Sequence, residues 1–267
     1  MLINGINTSR TASLSDEERK ERLRRYAQED AERYNSTTGE LTGYDCPKCK
    51  NRGLIAEVIN DTMTMVRCEC MTIRGNMDRL ERSGLKDSIA EYTFKGYKAD
   101  EPWQKAILAK AVEYAKEPKG WFYIGGQVGS GKTHICTALA AHLIRKGREV
   151  IYMRWIDDTV KLKSVKNSDE EYGRLIDRFK TVDVLYIDDF FKTEKGKQPT
   201  AADINIAFEL LNYRYNNRNL ITIISSEKRI GELLDIDEAV GSRIKQRCRD
   251  NYSEVKEDVN RNYRLRG

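Results

Sequence analysis

Gly125-Gly126-Gln127-Val128-Gly129-Ser130-Gly131-Lys132-Thr133 decides the reading of this chain. It holds the complete phosphate-loop pattern, Gly126 followed by four residues and then Gly131-Lys132-Thr133. The apolar run Trp121-Phe122-Tyr123-Ile124 before it reads as a strand, and His134 to Ile144 after it reads as a helix with a largely apolar face. Glycines let successive backbone N–H groups curl around an anion, and the helix N-terminus adds positive potential. Lys132 is placed to reach the β- and γ-phosphates, and Thr133 to offer its hydroxyl to Mg²⁺. Gly126, Gln127, Val128, Gly129, Ser130, Gly131, Lys132, Thr133 and His134 are therefore the expected nucleotide-binding set for ATP or ADP with Mg²⁺.

Working outward, Val182-Asp183-Val184-Leu185-Tyr186-Ile187-Asp188-Asp189 reads as a buried strand ending in two acids. Beside a phosphate loop, Asp188 is expected to help hold Mg²⁺ and Asp189 to orient or activate the attacking water. Leu220 to Ser225 is a further apolar run, leading into Ser226 and Glu227, either of which can sense a γ-phosphate or serve as a plain strand exit. Gly241-Ser242-Arg243-Ile244 opens a basic stretch in which Arg243, Arg247 and Arg249 are equal candidates for a finger reaching a neighbour's nucleotide. Strands at Glu149–Met153 and Tyr252–Val255 and a helix at Pro102–Lys116, with Pro102 in its first turn, complete the pattern. Runs apolar on both faces and alternating with helices predict an α/β fold, a parallel sheet with flanking helices.

Upstream of this region the composition changes. Residues 1–12 carry no periodicity, and Ser15 with Glu18 forms a capping box that opens a charged helix to about Tyr34. Leu14, Leu23, Tyr26, Ala27 and Ala31 are its expected apolar contacts, and the helix serves as a solvated arm or as a docking surface. Cys46, Cys49, Cys68 and Cys70 then form two knuckles flanking Leu54–Ile59 and Thr62–Arg67, a predicted hairpin turning at Asn60-Asp61. Four thiolates at this spacing predict a structural Zn²⁺ with no open coordination position, the rivals being an iron–sulfur centre or free thiols. The expected organisation is residues 1–43 as a helical arm, 44–73 as a zinc module, 74–91 as a linker and 92–267 as the nucleotide-binding domain.

Of the 267 residues, a third are charged and the net charge is +5, which permits nucleic-acid contact without requiring it. Lys161, Lys163 and Lys166, and Lys192, Lys195 and Lys197, are candidate phosphate contacts that ordinary solvation explains equally well. No run reaches the length of a membrane span and no signal-peptide pattern is visible, so cytoplasmic residence is expected.

Taken together, Gly126–Thr133, Leu185–Asp189, Thr222–Glu227, Gly241–Ile244 and the cysteine module resemble the helicase-loader ATPases of the AAA+ superfamily. These are the bacterial and phage DnaC- and DnaI-like proteins, which are related to the IstB transposition ATPases. The resemblance covers the chain from about Asp16 onward. It implies a replicative hexameric helicase as partner of the N-terminal region, single-stranded DNA bound by an ATPase domain that works in DNA replication, and self-association through a shared ATP site. It singles out Arg243 as the trans finger and places sensor 1 at Glu227, where the family commonly has Asn, with Ser226 sharing the role. The chain ends soon after the arginine box, so little or no helical lid, and no sensor 2 arginine, is expected. An IstB-like transposition ATPase and a nucleotide-dependent regulatory adaptor with little hydrolysis are the alternative readings.

Overall fold

The computed structural model describes residues 15–81, 89, 91–194 and 196–265. Leu14, Lys195 and residues 1–12, which figure in the expectations above, lie outside the described residues. The chain divides into two compact units, residues 1–71 and residues 72–267.

In the first unit, helix α1 (Asp16–Ser36) begins at the capping box formed by Ser15 and Glu18. Strands β1 (Leu54–Ile59) and β2 (Thr62–Arg67) pair antiparallel, in register from Leu54↔Arg67 to Ile59↔Thr62. Asn60 and Asp61 both take positive φ (51° and 59°), the two-residue turn whose twist suits a hairpin. The Asn35 side chain brackets Ala56, accepting from its N–H at 3.0 Å and donating to its C=O at 2.9 Å, so α1 is stitched to the hairpin. Ala27 and Ala31 are buried, whereas Leu23 and Tyr26, expected to pack, are 60% and 44% exposed. Among the described apolar contacts expected of α1, only the two alanines are covered.

Helix α2 (Cys70–Leu80) starts at the fourth cysteine and gives the expected connecting segment helical structure. Beyond it come α3 (Pro102–Lys116), β3 (Trp121–Gly126), α4 (Lys132–Arg145), β4 (Val150–Arg154), α5 (Trp155–Ser164), α6 (Asp169–Thr181) and β5 (Val184–Phe190). These are followed by α7 (Ala201–Asn216), β6 (Ile221–Ser226), α8 (Ile230–Ile236), α9 (Glu238–Cys248) and β7 (Tyr252–Val255). The five strands form one parallel sheet in the order β4-β5-β6-β3-β7. Strands β3 and β6 are buried along their whole length, as a sheet covered on both faces requires. Arg214 of α7 is fully buried and donates to the carbonyls of Phe179, Lys180, Val182, Asp183 and Ile221 and to the Thr222 hydroxyl. It ties the end of α6 to the starts of β5 and β6. The register sets the C-terminal ends of β3, β5 and β6 side by side, which brings the phosphate loop next to Asp188 and Ser225. No helix among the described residues is long and apolar enough to cross a membrane.

Candidate nucleotide site and metal centre

The phosphate loop leaves β3 at Gly126 and enters α4 at Gly131. Gly126 has φ 103° and Gly131 φ 86°; a Cβ on Gly126 would lie 2.1 Å from the Val255 carbonyl oxygen, so only glycine serves there. Lys132 is 8% exposed and its Nζ donates to the carbonyls of Gly126 (2.8 Å) and Gln127 (2.7 Å). Burial pulls its ammonium down to about 8, against the opposing pull of Glu227 and Asp189. Ser130 Oγ donates to Gln127 O at 2.8 Å, holding the loop closed.

Asp188, at the end of β5, is nearly buried and collects three hydroxyls: Thr133 (3.2 Å) and Ser225 on Oδ1, and Tyr152 (2.9 Å) on Oδ2. Thr133 and Asp188 thus form the oxygen pair that would hold Mg²⁺. That ion would supply charge neutralisation to a bound polyphosphate. Asp189 sits at φ 55°, a strained backbone for a non-glycine residue, with its N–H on Ser225 Oγ at 3.2 Å. Its carboxylate pairs with Lys192 at 2.8 Å, and Lys192 also pairs with Glu227 at 3.2 Å.

These groups face a cavity of about 310 Å³. Its far wall is aromatic: Tyr92 stacks on His134 with centroids 4.7 Å apart, and Tyr97 meets the same ring edge-on at 5.3 Å. The His134 ring nitrogen Nε2 lies 2.9 Å from Thr93 O. A flat, apolar wall beside a cationic loop suits a base joined to a polyphosphate. A 3₁₀ turn, Tyr263–Leu265, closes over the loop; Tyr263 N–H donates to Gly129 O at 2.9 Å, and Tyr263 and Arg264 line the cavity. Arg264 thus adds a guanidinium to the cavity lining.

Of the expected site residues, Val128 to His134, Asp189 and Glu227 line the cavity, and Asp188 touches Thr133 directly. Ser226 is turned away: its hydroxyl donates to Phe190 O at 2.6 Å and accepts from Lys228 N at 3.0 Å. Arg243 lies outside the cavity of its own chain, donating to Ala239 O (2.8 Å) and Asn212 Oδ1 (3.2 Å). Arg247 is likewise used internally, on the carbonyls of Arg218 and Leu220. Lys192, one of the candidate phosphate contacts, lines the nucleotide cavity. Lys161, Lys163 and Lys197 are paired with Asp158, Asp203 and Glu194. Ser225, Tyr152 and Arg264 were missed, because their roles depend on strand register and chain path and no motif marks them.

In the first unit, the sulfurs of Cys46, Cys49, Cys68 and Cys70 all lie within 4.8 Å of one another and all four residues are buried. Separations of 3.8 Å (Cys46 to Cys68) and 3.5 Å (Cys49 to Cys70) approach the edge of a tetrahedron with Zn–S of about 2.3 Å. Burial raises the Cys49 thiol, but the Gly53 N–H at 3.3 Å and the neighbouring thiols outweigh it and bring the group down to about 6. The donor set fits zinc, with four thiolates and no open position.

Comparison with known proteins agrees with this geometry. Residues 63–266 match the family described as IstB-like ATP binding protein, and the chain belongs to that family, AAA+ ATPases of the IstB/DnaC type. Two relatives from Bacillus subtilis strain 168, YqaM and the phage-like element PBSX protein XkdC, are each 33% identical over 79% of this chain and 82% of their own. The replicative helicase loader DnaC of Escherichia coli K12 is 29% identical over 40% of this chain and 46% of its own. Among solved structures, the DnaC helicase loader superposes with a TM-score of 0.52 at 15% identity, covering 62% of this chain and 96% of its own. The initiator DnaA bound to AMPPCP and single-stranded DNA gives 0.52 at 21% identity over 62% of this chain and 50% of its own, so both share the fold. Membership of an ATP-binding family implies nucleotide, and Mg²⁺ with it, as ligands of this chain.

Proposed function

We propose that this protein is an ATP-dependent loader that places a replicative hexameric helicase on single-stranded DNA during replication in the bacterial cytoplasm, encoded by the host or by a phage. The observation that carries the proposal is the union in one chain of a complete phosphate-loop site with a separate unit built on four buried cysteines. The name of the relative DnaC, and the phage-element origin of XkdC, support it. In this reading residues 1–43 and 44–73 hold the helicase, 74–91 link, and 92–267 form the motor. Lys132 and Thr133 bind the phosphates and Mg²⁺ with Asp188. Asp189 positions water, and Glu227 senses the γ-phosphate through Lys192. Turnover in the isolated chain is slow, because Lys192 neutralises Asp189 until DNA or a partner draws it away.

Co-purification of the full chain with candidate hexameric helicases, followed by transfer of the helicase to circular single-stranded DNA with ATP, tests the loader directly. Complex formation and ATP-dependent transfer are expected; capture of a transposase instead would establish the IstB-like transposition reading, which the family match itself favours as the second choice.

Self-association through a shared site assigns Arg243 to the neighbour's nucleotide. Arg243→Ala is expected to leave ATP binding within about twofold while turnover, which in the parent chain rises with protein concentration, falls by about 10³-fold, the scale of a lost arginine finger. Equal turnover of parent and variant at high protein concentration removes the finger assignment.

A further inference from the structure

A second cavity, about 220 Å³, opens beside β4, the edge strand of the sheet, and contains none of the nucleotide-site cavity's lining. Arg79 of α2, Arg154 and Tyr152 of β4, Asp158 and Lys161 of α5, and Arg178 of α6 line it. Four cations thus face one carboxylate. Arg79 pairs with Glu149 (2.9 Å), Arg154 with Asp157 (2.9 Å) and Lys161 with Asp158 (3.2 Å); the three cations are each more than half exposed, so their pairs exchange readily for another anion, although the Asp158 carboxylate itself is largely covered. Arg178 has no carboxylate partner among the described residues and lies 5.2 Å from the centroid of the Phe179 ring. The excess of guanidinium groups matches the bidentate geometry of a phosphate. No ring stands free there to stack a base, so recognition is of backbone and not of sequence.

One wall of this cavity reports to the first site. Tyr152 lines it and donates its hydroxyl to Asp188 Oδ2 at 2.9 Å, on the oxygen that Thr133 and Ser225 leave open. Tyr152 is thus the residue shared between this lining and the contacts of Asp188.

We propose that this cavity binds a backbone phosphate of single-stranded DNA, and that its occupancy is relayed to the nucleotide site by exchange of the Tyr152 hydroxyl from Asp188 to that phosphate. The proposal rests on the reading above that the chain binds single-stranded DNA, and it names where. Arg154 and Arg178 are the binding residues; Tyr152 is a positioning residue acting through Asp188.

The test is fluorescence anisotropy of the full chain with labelled oligothymidine, with and without a non-hydrolysable ATP analogue, across a salt series. Replacing Arg154 and Arg178 together by Ala is expected to weaken DNA binding at least about tenfold and to lower the slope of log affinity against log salt by about 0.7, one phosphate contact on a single strand. Thermal melting unchanged from the parent shows that the double variant is folded. Tyr152→Phe is expected to keep DNA affinity without nucleotide but to abolish the change that the analogue produces, bringing the ratio of the two affinities to about one. Parent-like DNA binding by the folded double variant overturns the site while leaving single-stranded DNA binding intact. A parent chain that binds no oligothymidine overturns the DNA reading itself. Displacement of the oligonucleotide by equimolar inorganic phosphate would make the cavity a free-phosphate site and also overturn the assignment. A parent-like ratio in Tyr152→Phe overturns the relay.

Discussion

Lys132→Ala is expected to remove nucleotide binding: at least about a hundredfold loss of ATP affinity, roughly 2.7 kcal/mol, in a protein that melts no lower than its parent. The ammonium is buried and rests on the two loop carbonyls of Gly126 and Gln127. A triphosphate replaces those neutral acceptors with charged oxygens, so that both partners of each bond are ionised and attract as opposite charges in a partly buried site. The variant keeps its fold because the folded state holds this lysine at about 8, below its ordinary 10.5, so the charged form costs stability below pH 8. That cost fades as pH rises from 8 toward 10.5, and alanine escapes it altogether. The same shift sets the pH dependence of the parent. An anion raises the lysine back toward its ordinary range, so binding takes up a proton above pH 8. Affinity then declines by up to about tenfold per pH unit toward 10.5. Calorimetry in two buffers of different ionisation enthalpy measures both the affinity and the proton uptake. Normal affinity in Lys132→Ala removes the phosphate-loop assignment, and a flat profile between pH 7 and 10 removes the proton linkage.

Removal of zinc is expected to unfold the first unit. Its apolar burial is slight: β2 is exposed along nearly its whole length, and of α1 only Ala27 and Ala31 are buried. A two-stranded hairpin is marginal at best in water. Structural zinc supplies roughly 10–16 kcal/mol of apparent binding free energy to such modules at neutral pH. We expect one zinc per chain by elemental analysis. Chelation, or Cys49→Ser, should open residues 15–71 to protease at rates at least about a hundredfold faster than the parent, while a nucleotide affinity carried by residues 92–264 persists. Iron in place of zinc would point to a cluster, and unchanged protease resistance after metal removal would show that the four thiols need no ion.

The phosphate loop, the strand ending in Asp188 and the hairpin between cysteine pairs were legible because each is a local pattern whose chemistry demands its spacing. The buried strands were legible for a similar reason, since a sheet covered on both faces leaves unbroken apolar runs at β3, β5 and β6. What escaped depends on distance along the chain. Tyr152 and Asp188 are neighbours only because β4 and β5 pair in register, Arg154 opposite Asp188. Arg264 reaches the loop only because β7 adds to the sheet beside β3 and returns the chain past Gly129. Ser226 was chosen as a candidate from its place at a strand end, but alternation turned its hydroxyl toward Phe190 and gave Ser225 the contact with Asp188. On α1, periodicity marked Leu23 and Tyr26 as apolar without saying whether anything covers them, and both are exposed.

Arg214 carries a consequence for watching this protein at work. Its guanidinium N–H groups are spent on five carbonyls and one hydroxyl with no water in reach of the side chain. Solvent can take those protons only when α6, β5 and β6 part company, which is an opening of the whole sheet rather than of a loop. The Arg214 Nε–H is therefore a built-in clock: its exchange with deuterium times global opening of the second unit, and the lengthening of that time on adding nucleotide reads ligand stabilisation from inside the core.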